Sequence, residues 1–195
     1  MSSYTDAQYA TTLWEEIETA YSKKRRYYHT LHHLDNLVQQ LLPVKNEIAD
    51  WDVLLCSVFY HDIVYSTMKK DNEEKSAELA VKRLNKTTLD KERIEACKKQ
   101  IIATKKHIIT NDVDTDLFTD ADLSVLGASP AVYDTYAINV RKEYYIYPDA
   151  LYKPGRRKVL EHFLLMDSIY KTKHFAGLYE KQARINLQRE ADSLI

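Results

Sequence analysis

Apolar residues recur at helical spacing along most of the chain. Near the start Leu13, Ile17 and Ala20 share one stripe, which predicts a helix from about Asp6 to Tyr21. A longer apolar run, Trp51 to Tyr65, predicts a buried helix. Further helices are predicted from Tyr28 to Leu42, Asp71 to Leu84, Thr88 or Asp90 to Lys106, Leu117 to Leu126, Pro130 to Tyr147, Arg156 to Tyr170 and Phe175 to Ala191.

Composition supports a helical interpretation. The 195 residues include only three Gly and four Pro, so turns are few and the elements are long. The acidic stretch Asn111–Asp116 predicts a solvated loop, and Gly127 a glycine cap at a helix end. Connections are short and no repeat is present. We therefore predict an all-α fold, a single domain over residues 1–195 built as a bundle of about seven to nine helices.

Charge and cysteine usage exclude several classes of protein. The net charge is −1, from 28 basic and 29 acidic residues, which does not suit general nucleic-acid binding. Cys56 and Cys97 lack CxxC spacing, which favours a reducing compartment such as the cytoplasm. Neither a signal peptide at Met1–Asp6 nor a transmembrane run is expected. An apolar stripe can cover a core or a subunit interface, so a homo-oligomer stays open.

The candidate chemistry centres on the adjacent pair His61–Asp62. The pair ends the apolar run, and a buried carboxylate needs a partner such as a metal ion. Taken alone, the pair also fits a helix end whose Asp lies in water. His29 and His33 are four apart and are expected to share a helix face, and Asp122 follows downstream. Imidazoles and carboxylates in this order suit a hydrolytic metal site.

The stretches that carry these residues resemble a known superfamily. YHTLHH, FYHDIVY, DNEEKSA and DADLSVLG occur in order, followed by RKEYYIYP from Arg141 and EKQARINL from Glu180. Together they resemble the HD-domain superfamily and, more narrowly, a bacterial group of predicted metal-dependent HD phosphohydrolases. The resemblance spans about Tyr21 to Glu190. A more distant similarity links the metal site to cyclic-nucleotide phosphodiesterases, although Thr30 and Leu34 depart from that pattern and the chain is too short for their nucleotide pocket.

The resemblance implies a function and assigns roles to residues. It implies hydrolysis of a small phosphoester, such as a nucleotide, by a water activated on one or two divalent ions (Mn, Mg, Co, Ni, Zn or Fe). His29 would protonate the leaving oxygen, and Glu73 would orient or deprotonate the water. The metal ligands would be His33, His61, Asp62 and Asp122. The substrate-binding residues would be Tyr28, Asn72, Arg141 and Arg184, with Arg26 a further candidate for phosphate.

Several alternatives stay open at this point. His32 adjoins His33, but only one of the two should face a metal. Asp120 competes with Asp122 and is interpreted as a helix N-cap. His107 is either a further ligand or a helix-end residue. Two further classes of protein remain: a di-iron HD-type oxygenase, and a non-catalytic binding or regulatory module stabilised by metal.

Overall fold

The computed structural model describes residues 4–194, and within them the protein is entirely helical. Nine α-helices and two 3₁₀-helices follow one another with no strand in this range, which confirms the predicted all-α fold. None of the described helices is long and apolar enough to cross a bilayer. The prediction that Met1–Asp6 is not a signal peptide rests partly on residues 1–3, which lie outside the described range. The α-helices are α1 (Ala7–Tyr21), α2 (Leu31–Leu41), α3 (Trp51–Tyr60), α4 (Asn72–Leu84), α5 (Lys91–Ala103), α6 (Val113–Asp122), α7 (Pro130–Glu143), α8 (Asp149–Leu164) and α9 (Lys173–Ser193), and the 3₁₀-helices are Leu42–Glu47 and Leu123–Gly127.

The chain divides into two compact units, Met1–Thr119 and Asp120–Ile195, and the boundary falls inside α6. The first unit contains α1 to α5 with most of α6, and the second contains α7 to α9. Compact units occur both within single domains and as separate domains. The prediction of one domain over the whole chain therefore stays a prediction.

Helix α3 forms the centre of the first unit. Its side chains are apolar on most faces, and Leu54, Val58 and Tyr60 are fully buried. Helices α2, α4 and α5 all pack against it. A helix that is hydrophobic all round is stable only when it is surrounded in this way. The residues that follow α3 are therefore held close to the interior.

Helix α2 begins later than the sequence predicts. It starts at Leu31, after Thr30 in an extended N-cap conformation, instead of at Tyr28. Thr30 makes no side-chain capping hydrogen bond, and its main-chain carbonyl accepts from the N–H groups of His33 and Leu34 at 3.0 and 3.4 Å. His29 consequently lies before the helix. The prediction that His29 and His33 share a helix face is wrong.

Helix α3 ends earlier than predicted, at Tyr60 and not at Tyr65. His61 and Asp62 therefore lie in the turn that leaves the helix. The main chain of this turn is bonded to side chains from elsewhere: the Asp62 N–H donates to the hydroxyl of Tyr21 at 3.2 Å. The apolar run does not predict this contact, because Tyr21 is distant in sequence.

The acidic stretch Asn111–Asp116 runs into the first turn of α6 and is not a solvated loop. Helix α6 begins at Val113, and Asp114 and Asp116 are both buried. The Asp114 carboxylate accepts hydrogen bonds from the main-chain N–H groups of Ala49 and Asp50, each at 2.8 Å. These carboxylates satisfy main-chain donors, which explains their burial. The sequence prediction of a solvated turn is wrong at these positions.

In the second unit, Asp120 anchors the chain that leads into α9. It is buried within α6, and its carboxylate accepts from the N–H groups of Lys171 (3.0 Å) and Thr172 (2.8 Å). The Lys171 ammonium lies 3.0 Å away and compensates the buried charge. Asp120 is interior to α6, so its interpretation as the N-cap of that helix is wrong.

Two further predictions in this unit are corrected. Helix α8 begins at Asp149, with Pro154 inside it, although the sequence places its start at Arg156. Gly127 ends a 3₁₀-helix without a positive φ. Its role is close packing, because a Cβ at this position would lie 2.4 Å from Cβ of Tyr179. No side chain larger than hydrogen fits there.

Candidate metal centre

His61 occupies the first position after α3, and its ring is oriented by the helix itself. Its Nδ1 lies 2.8 Å from the carbonyl oxygen of Val58. A carbonyl can only accept, so Nδ1 carries the proton and donates it. When Nε2 carries no proton, its lone pair is presented on the opposite side of the ring. Histidine ligands of metal ions are commonly held by a main-chain carbonyl in this way.

Three potential ligands converge where α2 meets the end of α3. Nε2 of His33 lies 3.2 Å from Nε2 of His61, and Oδ2 of Asp62 also lies 3.2 Å from Nε2 of His61. One ligand atom from each residue lies within 4.8 Å of the others. His33 is 4% exposed and His61 1%, while the Asp62 side chain is 17% exposed. The cluster is therefore almost closed to solvent, with the carboxylate towards the open side.

Asp62 remains ionised in this setting. Burial alone would raise the pKa of its carboxyl, but the imidazoles of His61 and His29 lower that pKa well below its usual range. An ionised carboxylate beside two ring nitrogens forms an oxygen-and-nitrogen donor set. Zn²⁺ and the divalent ions of the first transition row are bound by such sets. The residues present thus fit a divalent metal ion, and within residues 4–194 they form the one group of three or more candidate ligands.

His29 lies beside this cluster although it is outside α2. Its Nε2 is 3.6 Å from Oδ2 of Asp62, and its side chain is 19% exposed. The ring of Tyr28 contacts the rings of His29 and His33, with centroids 4.9 and 4.8 Å away. Tyr65 packs against the other side of His29 at 4.3 Å. His29 is therefore a protonatable group held at the open edge of the cluster.

The segment 61–71, which we call the HD loop, is fastened to α4 by two side chains. Asn72 accepts from the N–H of Ser66 at 3.1 Å and donates to its carbonyl at 2.9 Å. Ser76, one turn later, accepts from the N–H of Val64 at 3.1 Å and donates to its carbonyl at 3.3 Å. Residues four apart share a helix face, so the two act together. This geometry gives Asn72 and Ser76 a structural role, and the assignment of Asn72 to substrate stays a prediction.

Glu73 lies on the same turn of α4 and is partly exposed. Burial raises the pKa of its carboxyl, the ammonium of Lys105 at 3.9 Å opposes this, and the negative charge of Asp62 adds to the rise. A raised carboxyl pKa suits a general base better than an ordinary one does. Lys105 also bonds to Glu74 and donates to the carbonyl of Lys70 at 2.7 Å.

The other predicted residues lie elsewhere. Asp122 is the last residue of α6 and belongs to the second unit, so its role as a fourth ligand stays a prediction. His32 is exposed. His107 follows α5 with a positive φ of 51°, and its N–H donates to the carbonyl of Ala103 at 3.1 Å. A ligand role for His107 also stays a prediction.

Arg141 and Arg184 lie in the second unit with their guanidinium groups engaged by protein atoms. Arg141 pairs with Asp149 at 2.7 Å and bonds to two main-chain carbonyls. Arg184 pairs with Glu180 at 2.7 Å and bonds to three. These contacts give both arginines a structural role, and their assignment to substrate remains a prediction.

Sequence reasoning missed Tyr21 as part of this site and considered Arg26 only as a phosphate ligand. Both residues bond to the main chain of the HD loop. One signal in the sequence could have drawn attention to Arg26: a cation directly before an aromatic and histidine cluster.

Comparison with known proteins adds no relative. No protein-family model, curated protein or solved structure matches the chain. Membership of the HD-domain superfamily therefore rests on the motifs, and it enters below as part of a proposal.

Proposed function

We propose that this chain is a metal-dependent phosphohydrolase of the HD type. The supporting observation is the convergence of His33, His61 and Asp62, with ligand atoms within 4.8 Å of one another in a nearly closed site. Two imidazoles and an ionised carboxylate are costly to bury together unless a cation joins them. By resemblance, Asp122 would supply a fourth ligand.

In this proposal, side chains of the protein move the protons and position the groups that carry them. A divalent ion held by His33, His61 and Asp62 would supply Lewis acidity and make water at this site more acidic. Glu73, with its raised carboxyl pKa, accepts a proton from the attacking water. His29 donates a proton to the leaving oxygen from Nε2, which lies 3.6 Å from a carboxylate oxygen of Asp62. Tyr28 packs on His29 and limits the positions of its ring.

The proposed substrate is a small phosphoester, such as a nucleotide. The test is phosphate release from a panel of nucleotides and sugar phosphates with Mn²⁺, Co²⁺, Mg²⁺ or Ni²⁺. Asp62→Ala removes a ligand, and Asp35→Ala is the matched control because Asp35 is exposed on α2. A second matched pair is His33→Ala against His32→Ala, which differ in burial at adjacent positions.

The expected result is metal-dependent release that is lost in Asp62→Ala and His33→Ala and kept in both controls. Release that persists in Asp62→Ala would refute the proposal. A protein that holds metal but releases no phosphate across the panel would move the assignment to one of the two alternatives: two bound irons per chain would indicate the oxygenase, and metal without turnover the regulatory module.

A further inference from the structure

Arg26 lies in the short connection between α1 and α2, and the backbone before it is strained. Arg25 adopts a φ of 83°, in the left-handed region that residues other than Gly, Asn and Asp rarely enter. The N–H of Arg26 donates to the carbonyl of Lys23 at 3.1 Å, which closes the turn. Strained conformations persist where surrounding contacts hold them in place. The contacts of the Arg26 side chain are extensive enough to do this.

The guanidinium of Arg26 bonds to three main-chain carbonyls. Nη1 donates to the carbonyl of His29 at 3.1 Å, and Nη2 donates to those of Asp62 at 2.8 Å and Ile63 at 3.0 Å. Its planar group also packs on the rings of Tyr21 and Tyr65, 4.7 and 5.2 Å from their centroids. Both terminal nitrogens and the planar surface of the group are thus engaged by the protein, which a role as phosphate ligand does not explain.

Two of these carbonyls, those of Asp62 and Ile63, belong to the turn that follows α3, which ends at Tyr60. They lie outside the helix and need donors from elsewhere. The end of a helix also carries a partial negative charge, which favours a cation close by. A guanidinium presents several donors in one plane and can serve more than one carbonyl at a time. Here it joins the exit of α3 to the segment that precedes α2.

We infer that Arg26 is a positioning residue of the candidate metal centre. It ties the main chain of His29 to that of Asp62, and so holds a proton donor and a carboxylate ligand in fixed relation. Their side chains lie 3.6 Å apart as a result. The inference rests on the metal site proposed above, but not on any particular substrate or on turnover.

The test measures binding of Co²⁺ alone, by titration and by the visible absorption of the bound ion. Arg26→Ala removes all three hydrogen bonds, and Arg26→Gln replaces the cation by a neutral amide donor. Lys24→Met is the matched control, because it removes one positive charge from an exposed position two residues away. We expect both Arg26 variants to bind Co²⁺ about 10–100-fold more weakly, with an altered spectrum, and the control to match wild type. Added guanidinium should restore the spectrum of Arg26→Ala.

The outcomes separate this inference from the proposed function. A wild-type protein that does not bind Co²⁺ would remove the metal centre itself. Wild-type binding with unchanged affinity and spectrum in both Arg26 variants would overturn the positioning role alone. An unchanged Co²⁺ affinity with a raised KM for a phosphoester would instead make Arg26 a substrate ligand, and would also overturn it. If Arg26→Ala does not fold by circular dichroism, Arg26→Gln is judged by the same two readouts.

Discussion

Replacing Ser76 by Ala should destabilise the protein and loosen the candidate metal centre. Ser76 is fully buried, and its hydroxyl is bonded to both main-chain polar groups of Val64 in the HD loop. Val64 follows Asp62 by two residues, so the same bonds help to hold the carboxylate in place. The variant keeps a good helix-forming residue in α4, and any loss therefore reflects the missing hydroxyl.

The magnitude follows from the two groups left behind. A buried polar group that loses its partner costs about 1–3 kcal/mol. The carbonyl of Val64 is 3.3 Å from the hydroxyl, so its bond is the weaker of the two, and the N–H bond at 3.1 Å dominates. We expect a total loss of about 2 kcal/mol in the free energy of unfolding. For a chain of this size that lowers Tm by about 4–8 °C.

Urea denaturation and Co²⁺ titration together provide the assay. Ser193→Ala is the matched control, because its hydroxyl donates to the carbonyl of Glu190 at an exposed position where water can replace it. The control should lose less than about 0.5 kcal/mol. Equal losses in the two variants would refute the reasoning. A large loss of unfolding free energy in Ser76→Ala with unchanged Co²⁺ affinity would also refute it, because the contact would then stabilise the protein without positioning the metal ligands.

Three further predictions concern packing, acid stability and metal. Gly127→Ala should lose about 1–3 kcal/mol, because its Cβ would meet the backbone of Tyr179, whereas Gly155→Ala should gain about 0.5–1 kcal/mol in helix propensity, since a Cβ there meets nothing within 4 Å. Equal signs for the two glycines in urea denaturation would contradict this packing argument. Burial alone would raise the pKa of Asp50, but hydrogen bonds from Arg93 and the main chain lower it, so the stabilising effect of Asp50 should be present near neutral pH and vanish in acid. The difference in unfolding free energy between wild type and Asp50→Asn should therefore shrink as the pH falls below about 4, and a difference that grows would contradict this. Co²⁺ at a hundredfold excess over its Kd should add about 2.7 kcal/mol of stability, which a chelator reverses. Absence of any rise in Tm would argue against a metal site in the folded state.

Local features of the sequence were sufficient to predict the helical fold. Apolar spacing, acidic first turns and the positions of Pro predicted helices that correspond to the nine α-helices of the described residues, and Asp90, one of two cap candidates, is the N-cap of α5. Adjacency alone placed His61 next to Asp62. These features depend on residues within one or two turns of each other, so the sequence displays them directly.

Features that depend on distant partners could not be predicted in this way. The turn that follows α3 is bonded to Tyr21 and Arg26, which precede it by more than thirty residues. The burial of Asp114 depends on N–H groups at Ala49 and Asp50. An acidic run has the same composition whether it is solvated or bonded to a distant main chain. The pattern therefore favoured the solvated loop, which is the commoner case.

Three arginines predicted to bind phosphate make contacts with main-chain carbonyls, and a common physical reason explains these contacts. Arg26, Arg141 and Arg184 were all candidates for phosphate because guanidinium groups suit phosphate. Arg26 instead donates to two main-chain carbonyls just beyond α3, Arg141 to two beyond α7, and Arg184 to three at or beyond the end of α8. Helices often end with a glycine in the left-handed conformation.

This chain has three glycines, and none of them has a positive φ. The carbonyls at its helix ends therefore need other donors, and a planar guanidinium can satisfy several at once. In a glycine-poor helical protein, an arginine within a motif is thus as well explained by a helix end as by a phosphate. The two roles are distinguished by whether its loss alters protein stability and metal binding or only the KM of the substrate.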